Sequence, residues 1–511
     1  MAGYLMGVDI GSSDCKVMVI DAQGQAIASS VQSYPTFYPR FGWAEQNPED
    51  WYQAVCRAIR ACLEAGAVQP ADIIGLAVDG PAHNVALMDE AGHLVYPTIH
   101  WSDLRSAPQS ERLDRKHGDR IFALSYCRVN PAWTLAQLLW LKENEPDAWR
   151  TLRRVLVTKD YVRYRFTGAY QTDVYDAIGT QLYDVAADRW SNELCALIAF
   201  DPDWLPEVVS ALSLSGPLLP EAARDTGLCA GTPVIVGSGD SVVEAVGIGA
   251  IRPGQGIVKL GTAANVNLVT AQPLPSRQSI TYRHIVEPYG FAITATNAGA
   301  ATMRWFRDTF CRLEVEQARA QQLSVYALID QLADGAAAGA DGLIFHPYLS
   351  GERTPHWDPH LRGNFFGLRA GHGIQHFARA ILEGVAFSIR DCLQAVQAIG
   401  QPVEQVYLIG GGAKSRLWRQ IICDVLGQPL VKPAVEDAAY GAAVVAGVAL
   451  GVFADWESAA ATCSRAEDRL YPDPATQPLY DDLFELYRAI GRDLVTHSHW
   501  LAQHSDTGRD A

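Results

Sequence analysis

The sequence has no Cys-x-x-Cys pair and no metal-ligand spacing among its 10 cysteines. Scattered thiols of this kind point to reduced, mostly buried side chains in a cytoplasmic protein. The opening stretch, MAGYLMGVDIGSS, lacks a basic region and a long apolar run, so no signal peptide is expected. The longest uncharged stretch, AAYGAAVVAGVALGVFA at 438–454, is rich in Ala and Gly and flanked by Glu436, Asp437 and Asp455. A close-packed buried helix suits it better than a membrane span. Positive charge is scarce. A net charge of -16 argues against a nucleic-acid surface. It does not argue against a nucleotide, because backbone N–H groups, a few cations and a metal ion suffice for a small phosphate site. There is no low-complexity segment, and the tail HSDTGRDA at 504–511 is expected to fray. No Walker A sequence, H-R-D or D-F-G element is present, so a phosphotransferase built on this chain belongs to neither of those classes.

What is there describes a globular α/β protein. The 511 residues exceed what one core supports, and 49% hydrophobic with 19% charged content fits two large domains. YLMGVDIGSSDCKVMVIDAQGQAIA reads as strand, Gly/Ser turn, strand. In NPEDWYQAVCRAIRACLEAG, Asn47 is a helix cap, Pro48 takes the first helical position, Trp51, Val55, Ile59 and Leu63 form one apolar stripe, and Gly66 ends it. IIGLAVDG is a short buried strand and NVALMDEAGHLV a hairpin. After residue 250, GQGIVKLGTAANVNLVT repeats the strand, turn, strand pattern, and VEQVYLIGGGAKSRLWRQIICDVLG gives strand, Gly turn, helix. The repetition suggests a duplicated α/β domain with a central cleft, and RPGQG at 252–256 is the best boundary.

Three glycine turns follow apolar strands: DIGSSDCK, LGTAAN and IGGGAKS. Glycine admits close backbone approach, and turn N–H groups can face an anion. Asp9 ends one strand and Asp240 opens a helix in VIVGSGDSVVEAVG. One such aspartate is an ordinary turn former. Ser241 and Glu244 also have capping-box spacing, which would make that stretch only a helix start. Two aspartates facing a common site could instead divide the work, one holding Mg²⁺ and one taking a proton. Lys16 could meet a phosphate or simply be a solvated strand lysine.

Longer matches are more specific. GNFFGLRAGHGIQHFARAILEG (363–384), YLSGERTPHWDP (348–359), GGGAKSRLWRQIICDVLG (410–427), WAEQNPEDW (43–51) and KDYVRYRFTG (159–168) occur in order along almost the whole chain. On these the sequence resembles the FGGY carbohydrate kinases, and most of all their xylulokinase branch. The resemblance implies two actin/hexokinase-like (ribonuclease H-like) domains, at 1–252 and 253–500, and ATP- and Mg²⁺-dependent phosphorylation of a small sugar. By it, Asp240 is the catalytic base and, with Asp9, lies at the metal. Gly11, Ser12, Ser13 and Lys16 form the first phosphate loop, Gly261 and Thr262 the second. Gly411, Gly412, Ala413 and Ser415 face the adenosine. His83, Ala82, Trp101, Asp103 and Ser241 line the sugar site. A homodimer is left open, and neither nucleic acid nor membrane is expected as a partner.

The chain also departs from xylulokinases. They read G-Q-M-H where this one has GPAH at 80–83, G-D-N where it has GDS at 239–241, and Lys where it has Gln137. Pro81 and Ala82 leave either a pocket refilled from elsewhere or a roomier one with fewer donors. D-xylulose is the first expectation for the substrate. Another ketose or polyol (erythritol, L-ribulose, L-xylulose or a quorum-signal sugar) is the alternative, and a non-catalytic sugar or nucleotide sensor is a more distant one.

Overall fold

A computed structural model describes residues 3–66 and 68–505, so the last residues of the expected frayed tail lie outside the described part. The chain forms two compact units. The first comprises 1–251, 271–291 and 435–465, and the second 252–270, 292–434 and 466–511. The expected boundary lies beside the junction at 251/252, while two later segments pack with the first unit.

The first unit is built on a six-stranded mixed sheet. Its order is Leu214–Pro217, Pro233–Ile235, Ile73–Asp79, Tyr4–Ile10, Asp14–Ile20, Ala26–Ser33. Tyr4–Ile10 pairs antiparallel with Asp14–Ile20 and parallel with Ile73–Asp79. Strands buried on both faces need continuous apolar runs, which is what VMVI and LAV supply. The helix Pro48–Glu64 covers one face with Trp51, Val55 and Ile59. Asn47 caps it through Glu49 N, as the sequence suggests. On the sheet also lies the helix Ala438–Ala449, buried along nearly all its length. It sits so close to the strand Tyr4–Ile10 that a Cβ on Gly7 would fall 1.8 Å from Ala439 O. Gly441 meets the helix Asp240–Gly247 equally closely, 2.1 Å from Val243 O by the same measure. Only glycine allows such backbone contact. Among the described residues no helix is long and apolar enough to cross a membrane.

The second unit repeats the motif. Gln255–Leu260 pairs antiparallel with Ala264–Thr270 and parallel with Gln405–Ile409, which continues to Leu430–Pro433 and then Ala466–Leu470. The long helix Ile374–Gln397 lies in its core with Val385, Ile389 and Leu393 buried. All ten cysteines are free thiols, and all but Cys229 are buried.

Candidate active site

In the first unit three aspartates converge through the sheet register. Asp9 and Asp79 are direct partners across parallel strands. A bridge between Gly80 and Gly239, with Asp240 N donating to Gly80 O at 3.0 Å, brings Asp240 beside them. Asp79 is 0% exposed, and neither of its oxygens accepts a hydrogen bond. Burial pushes its carboxyl well above the usual carboxylate range, and the charges of Asp9, Asp240 and Asp437 push the same way. Sequence reading passed over Asp79 as part of a buried strand. Among the described residues no group of three or more His, Cys, Asp or Glu side chains is arranged to hold a metal ion.

Asp240 is the first residue of its helix, and the cap is Gly239, so the capping-box spacing of Ser241 and Glu244 is not used. Its Oδ1 accepts from Ser241 N at 2.6 Å and Ser241 Oγ at 3.1 Å. The turn at Gly11–Ser13 lies beyond Asp9: Gly11 N bonds Asp14 O at 2.9 Å, and Gly11 O accepts from the Tyr34 hydroxyl. Ser12 accepts on its hydroxyl from Trp101 Nε1 at 3.1 Å and on its carbonyl from Gln46 at 2.8 Å. Lys16 is ion-paired with Asp437, which also caps Ala438–Ala449 through Ala439 N.

His83 stands on the other side of Asp240's neighbours. Its Nδ1 is 3.1 Å from Gly179 O, its ring meets Trp133 edge-on at 4.3 Å, and Tyr282 Oη is 3.5 Å from Nε2. Burial holds the imidazole below its ordinary pKa. Tyr282 stacks on Tyr175 at 4.1 Å and 16°. The Tyr175 ring covers Gly239, whose Cβ would lie 2.3 Å from it, and Asp240 and Ser241 stand near its hydroxyl. His83, Tyr282, Tyr175 and the Ser241–Asp240 pair thus follow one another in an arc. Gly179 packs against Ala82, so closely that a Cβ on Gly179 would lie 2.7 Å from the Ala82 Cβ. Trp133, Tyr175 and Tyr282 escaped sequence reading; Tyr282 is 199 residues from the histidine it touches.

Asp103 is buried in an ion pair. Its oxygens bond the Arg105 guanidinium, Arg105 N and Ala44 N, and Arg105 also pairs with Glu45 and lies 3.7 Å over Trp43. The Asp103 carboxylate, expected to face the sugar, is thus engaged by Arg105 and the Ala44 N–H. Beneath the arc Lys159, fully buried, holds Asp160 at 2.7 Å, Asp173 at 3.1 Å and Asp176 at 3.0 Å. Burial alone would lower its pKa, but the three carboxylates outweigh that and raise it. Asp173 in turn bonds Ser238 Oγ and Tyr175 N, so this network fixes Tyr175 and the strand leading to Asp240.

In the second unit Gly261 and Thr262 join Gln255–Leu260 to Ala264–Thr270, with the helix Ala300–Phe310 starting on them: Ala300 N bonds Gly261 O at 2.7 Å and Ala301 N bonds Thr262 O at 3.0 Å. Gly261 has room for a Cβ, 3.5 Å from Ala263 O. Gly411–Lys414 is a tight turn after Gln405–Ile409. Gly412 and Ala413 are buried, Gly411 is open, and Ser415 caps the next helix through Trp418 N.

Comparison with known proteins bears on this geometry. Residues 4–247 match the model of the N-terminal domain of the FGGY family of carbohydrate kinases, and 256–450 match that of its C-terminal domain. A xylulose kinase of Bacillus subtilis is 33% identical over 493 residues, covering 95% of this chain and 96% of that one. A xylulose kinase of Escherichia coli is 34% identical over 428 residues, 83% of this chain and 85% of that one. The crystal structure of a xylulose kinase from Rhodospirillum rubrum superposes with a TM-score of 0.90 at 27% identity, covering 97% and 100%.

Proposed function

The chain belongs to the FGGY family of carbohydrate kinases, and from that premise we propose that it phosphorylates D-xylulose with ATP, using Asp240 as general base. Its family makes it a phosphotransferase acting on an alcohol group of a sugar, with ATP as co-substrate. One observation carries the finer reading: Asp240 opens its helix at one end of the arc that ends on His83.

Both protein hydrogen bonds to Asp240 fall on Oδ1, which leaves Oδ2 to accept the sugar's hydroxyl proton. The deprotonating oxygen then attacks the γ-phosphorus of ATP, and ADP leaves with the broken bond's electron pair. His83 holds a second hydroxyl of the sugar. Gly11, Ser12 and Ser13, with Gly261 and Thr262, offer backbone N–H groups to phosphate oxygens. Gly411, Gly412, Ala413 and Ser415 take the adenosine. Lys16 contributes to the phosphates by exchanging its Asp437 partner.

The residues present suit a hard cation. Asp79 lies buried beside Asp9 with no donor on either oxygen, and Mg²⁺ needs only one or two carboxylates besides water and phosphate. Asp9 and Asp240 would hold it. Bound there, Mg²⁺ would neutralise charge on the phosphoryl oxygens.

Pro81 and Ala82, where xylulokinases have Gln and Met, favour a second reading in which another neutral ketose or polyol matches or beats D-xylulose. Purified protein screened against a panel of ketoses and polyols, read by ADP release, tests both. Turnover of D-xylulose is expected. ADP release that no panel member stimulates would overturn the assignment.

A further inference from the structure

Gln46, in the motif WAEQNPEDW, is 1% exposed and has no part in the chemistry above. Its backbone is fixed from both sides. Glu45–Gln46 pairs antiparallel with Thr98–Ile99, and Asn47 caps the helix Pro48–Glu64. Its side-chain amide has one workable orientation. The indole N–H of buried Trp51 can only donate, so the oxygen Oε1 faces it, accepting at 3.0 Å. Nε2 then spends its two protons on Ser12 O and Thr36 Oγ1, both at 2.8 Å. Turned over, the amide would set donor against donor at Trp51 and oxygen against oxygen at Ser12.

Ser12 O is one of three consecutive carbonyls held from the segment 34–46. Gly11 O accepts from the Tyr34 hydroxyl, and Ser13 O accepts from Tyr34 N at 3.1 Å. A trans peptide is planar, with its C=O and N–H on opposite sides. Holding Gly11 O and Ser12 O against buried Tyr34 and Gln46 therefore turns the N–H groups of Ser12 and Ser13 away from them, and both serines are exposed. Among the described residues neither N–H donates to a protein oxygen. The Ser12 hydroxyl adds to this. Trp101 Nε1–H donates to its oxygen at 3.1 Å, which leaves its own proton to be donated. The buried side of the turn thus takes up carbonyls, and the open side is left with donors, as an anion requires.

We infer that Gln46 is a positioning residue for phosphoryl transfer: by fixing the plane of the Ser12–Ser13 peptide it keeps Ser13 N–H turned toward the phosphate oxygens of ATP, and Tyr34 does the same for Ser12 N–H. This rests on the sugar-kinase reading given above, which gives the loop to phosphate, and adds what keeps the loop from flipping. A peptide free to rotate would present its carbonyl oxygen to the phosphate and repel it.

The test replaces Gln46 by Met, which keeps the length of the side chain and removes its donors, and Tyr34 by Phe, which removes only the hydroxyl. A cooperative thermal melt checks that each variant folds. In Gln46→Met, kcat/KM for ATP should fall about 10-fold, the scale of one hydrogen bond to a charged oxygen. KM for D-xylulose should stay within about twofold, and so should inhibition by AMP, which has no β- or γ-phosphate to meet the loop. Tyr34→Phe should show the same split at about 3–5-fold, and it decides the matter alone if Gln46→Met does not fold. Unchanged use of ATP in the folded variants would overturn the inference and leave the kinase assignment standing. Equal losses for ATP, AMP and sugar would also overturn it, making Gln46 a purely structural residue. Wild-type protein that releases no ADP with any sugar would overturn the kinase reading first, and this inference with it.

Discussion

Replacing Asp240 by asparagine separates the shape of the site from its chemistry. The carboxamide oxygen can accept the bonds that Ser241 N and Ser241 Oγ make to Oδ1, at 2.6 and 3.1 Å. Each becomes a neutral hydrogen bond instead of a charge-assisted one, a loss of about 1 kcal/mol. Against that, the change removes one of the charges that crowd buried Asp79. The two effects oppose, so the melting temperature should stay within a few degrees of wild type, on the scale of about 1 kcal/mol. Catalysis should not be spared. An amide cannot take the hydroxyl proton, and losing a general base lowers turnover roughly 10²–10⁴-fold, or about 2.7–5.4 kcal/mol of barrier. Steady-state ADP release measures this, with KM for sugar and ATP expected within about threefold of wild type, because neither Oδ1 contact nor the arc is lost. Near wild-type turnover in Asp240→Asn would refute the assignment and reduce Asp240 to a helix-start residue. A variant that folds but no longer binds sugar would refute it differently, making Asp240 a positioning group.

The raised carboxyl of Asp79 binds protons on folding, so it adds stability below the unfolded aspartate value of about 3.9 and withdraws it as pH climbs through the folded value. Asp79→Asn, melted in EDTA, should therefore lose less stability than wild type between about pH 5 and about pH 8; parallel curves would contradict an uncompensated carboxylate there. Gly261→Val should fold normally, since a Cβ there meets only Ala263 O at 3.5 Å, yet weaken ATP binding at least about tenfold by isothermal titration, because the branched side chain blocks backbone approach to phosphate. Unchanged affinity would remove this loop from the nucleotide site. Lys159→Met leaves buried carboxylates without their shared cation and should cost about 3–5 kcal/mol by urea unfolding, a shift below about 1 kcal/mol being the contrary result.

Much of the fold was legible because local signals and tertiary demands agree. Asn47 caps its helix, and the strand-turn-strand motif appears in both units at the expected places. Asp240 stood out because its carboxylate had no structural duty in the sequence pattern, though the spacing of Ser241 and Glu244 offered a cap that Gly239 supplies in fact. What stayed hidden depends on register and on long-range contact. Asp79 looks like any strand terminus until its pairing with Asp9 is known. Tyr282 lies in a segment from the chain's second half that packs into the first unit, and no periodicity reveals that. Asp103 was expected to line the sugar site, and only the folded turn shows its carboxylate engaged by Arg105 two residues on.

The helix Ala438–Ala449 closes on Gly7 from the opposite end of the chain. During synthesis the strand Tyr4–Ile10 exists long before its cover does. At roughly 5–20 residues per second, about 9–37 s separate residue 251 from residue 435. Throughout that interval the surface around Gly7 has not yet met its partner and exposes a bare backbone face of a paired strand. Completion of the first unit is thus timed by the translation of residues that belong to the second.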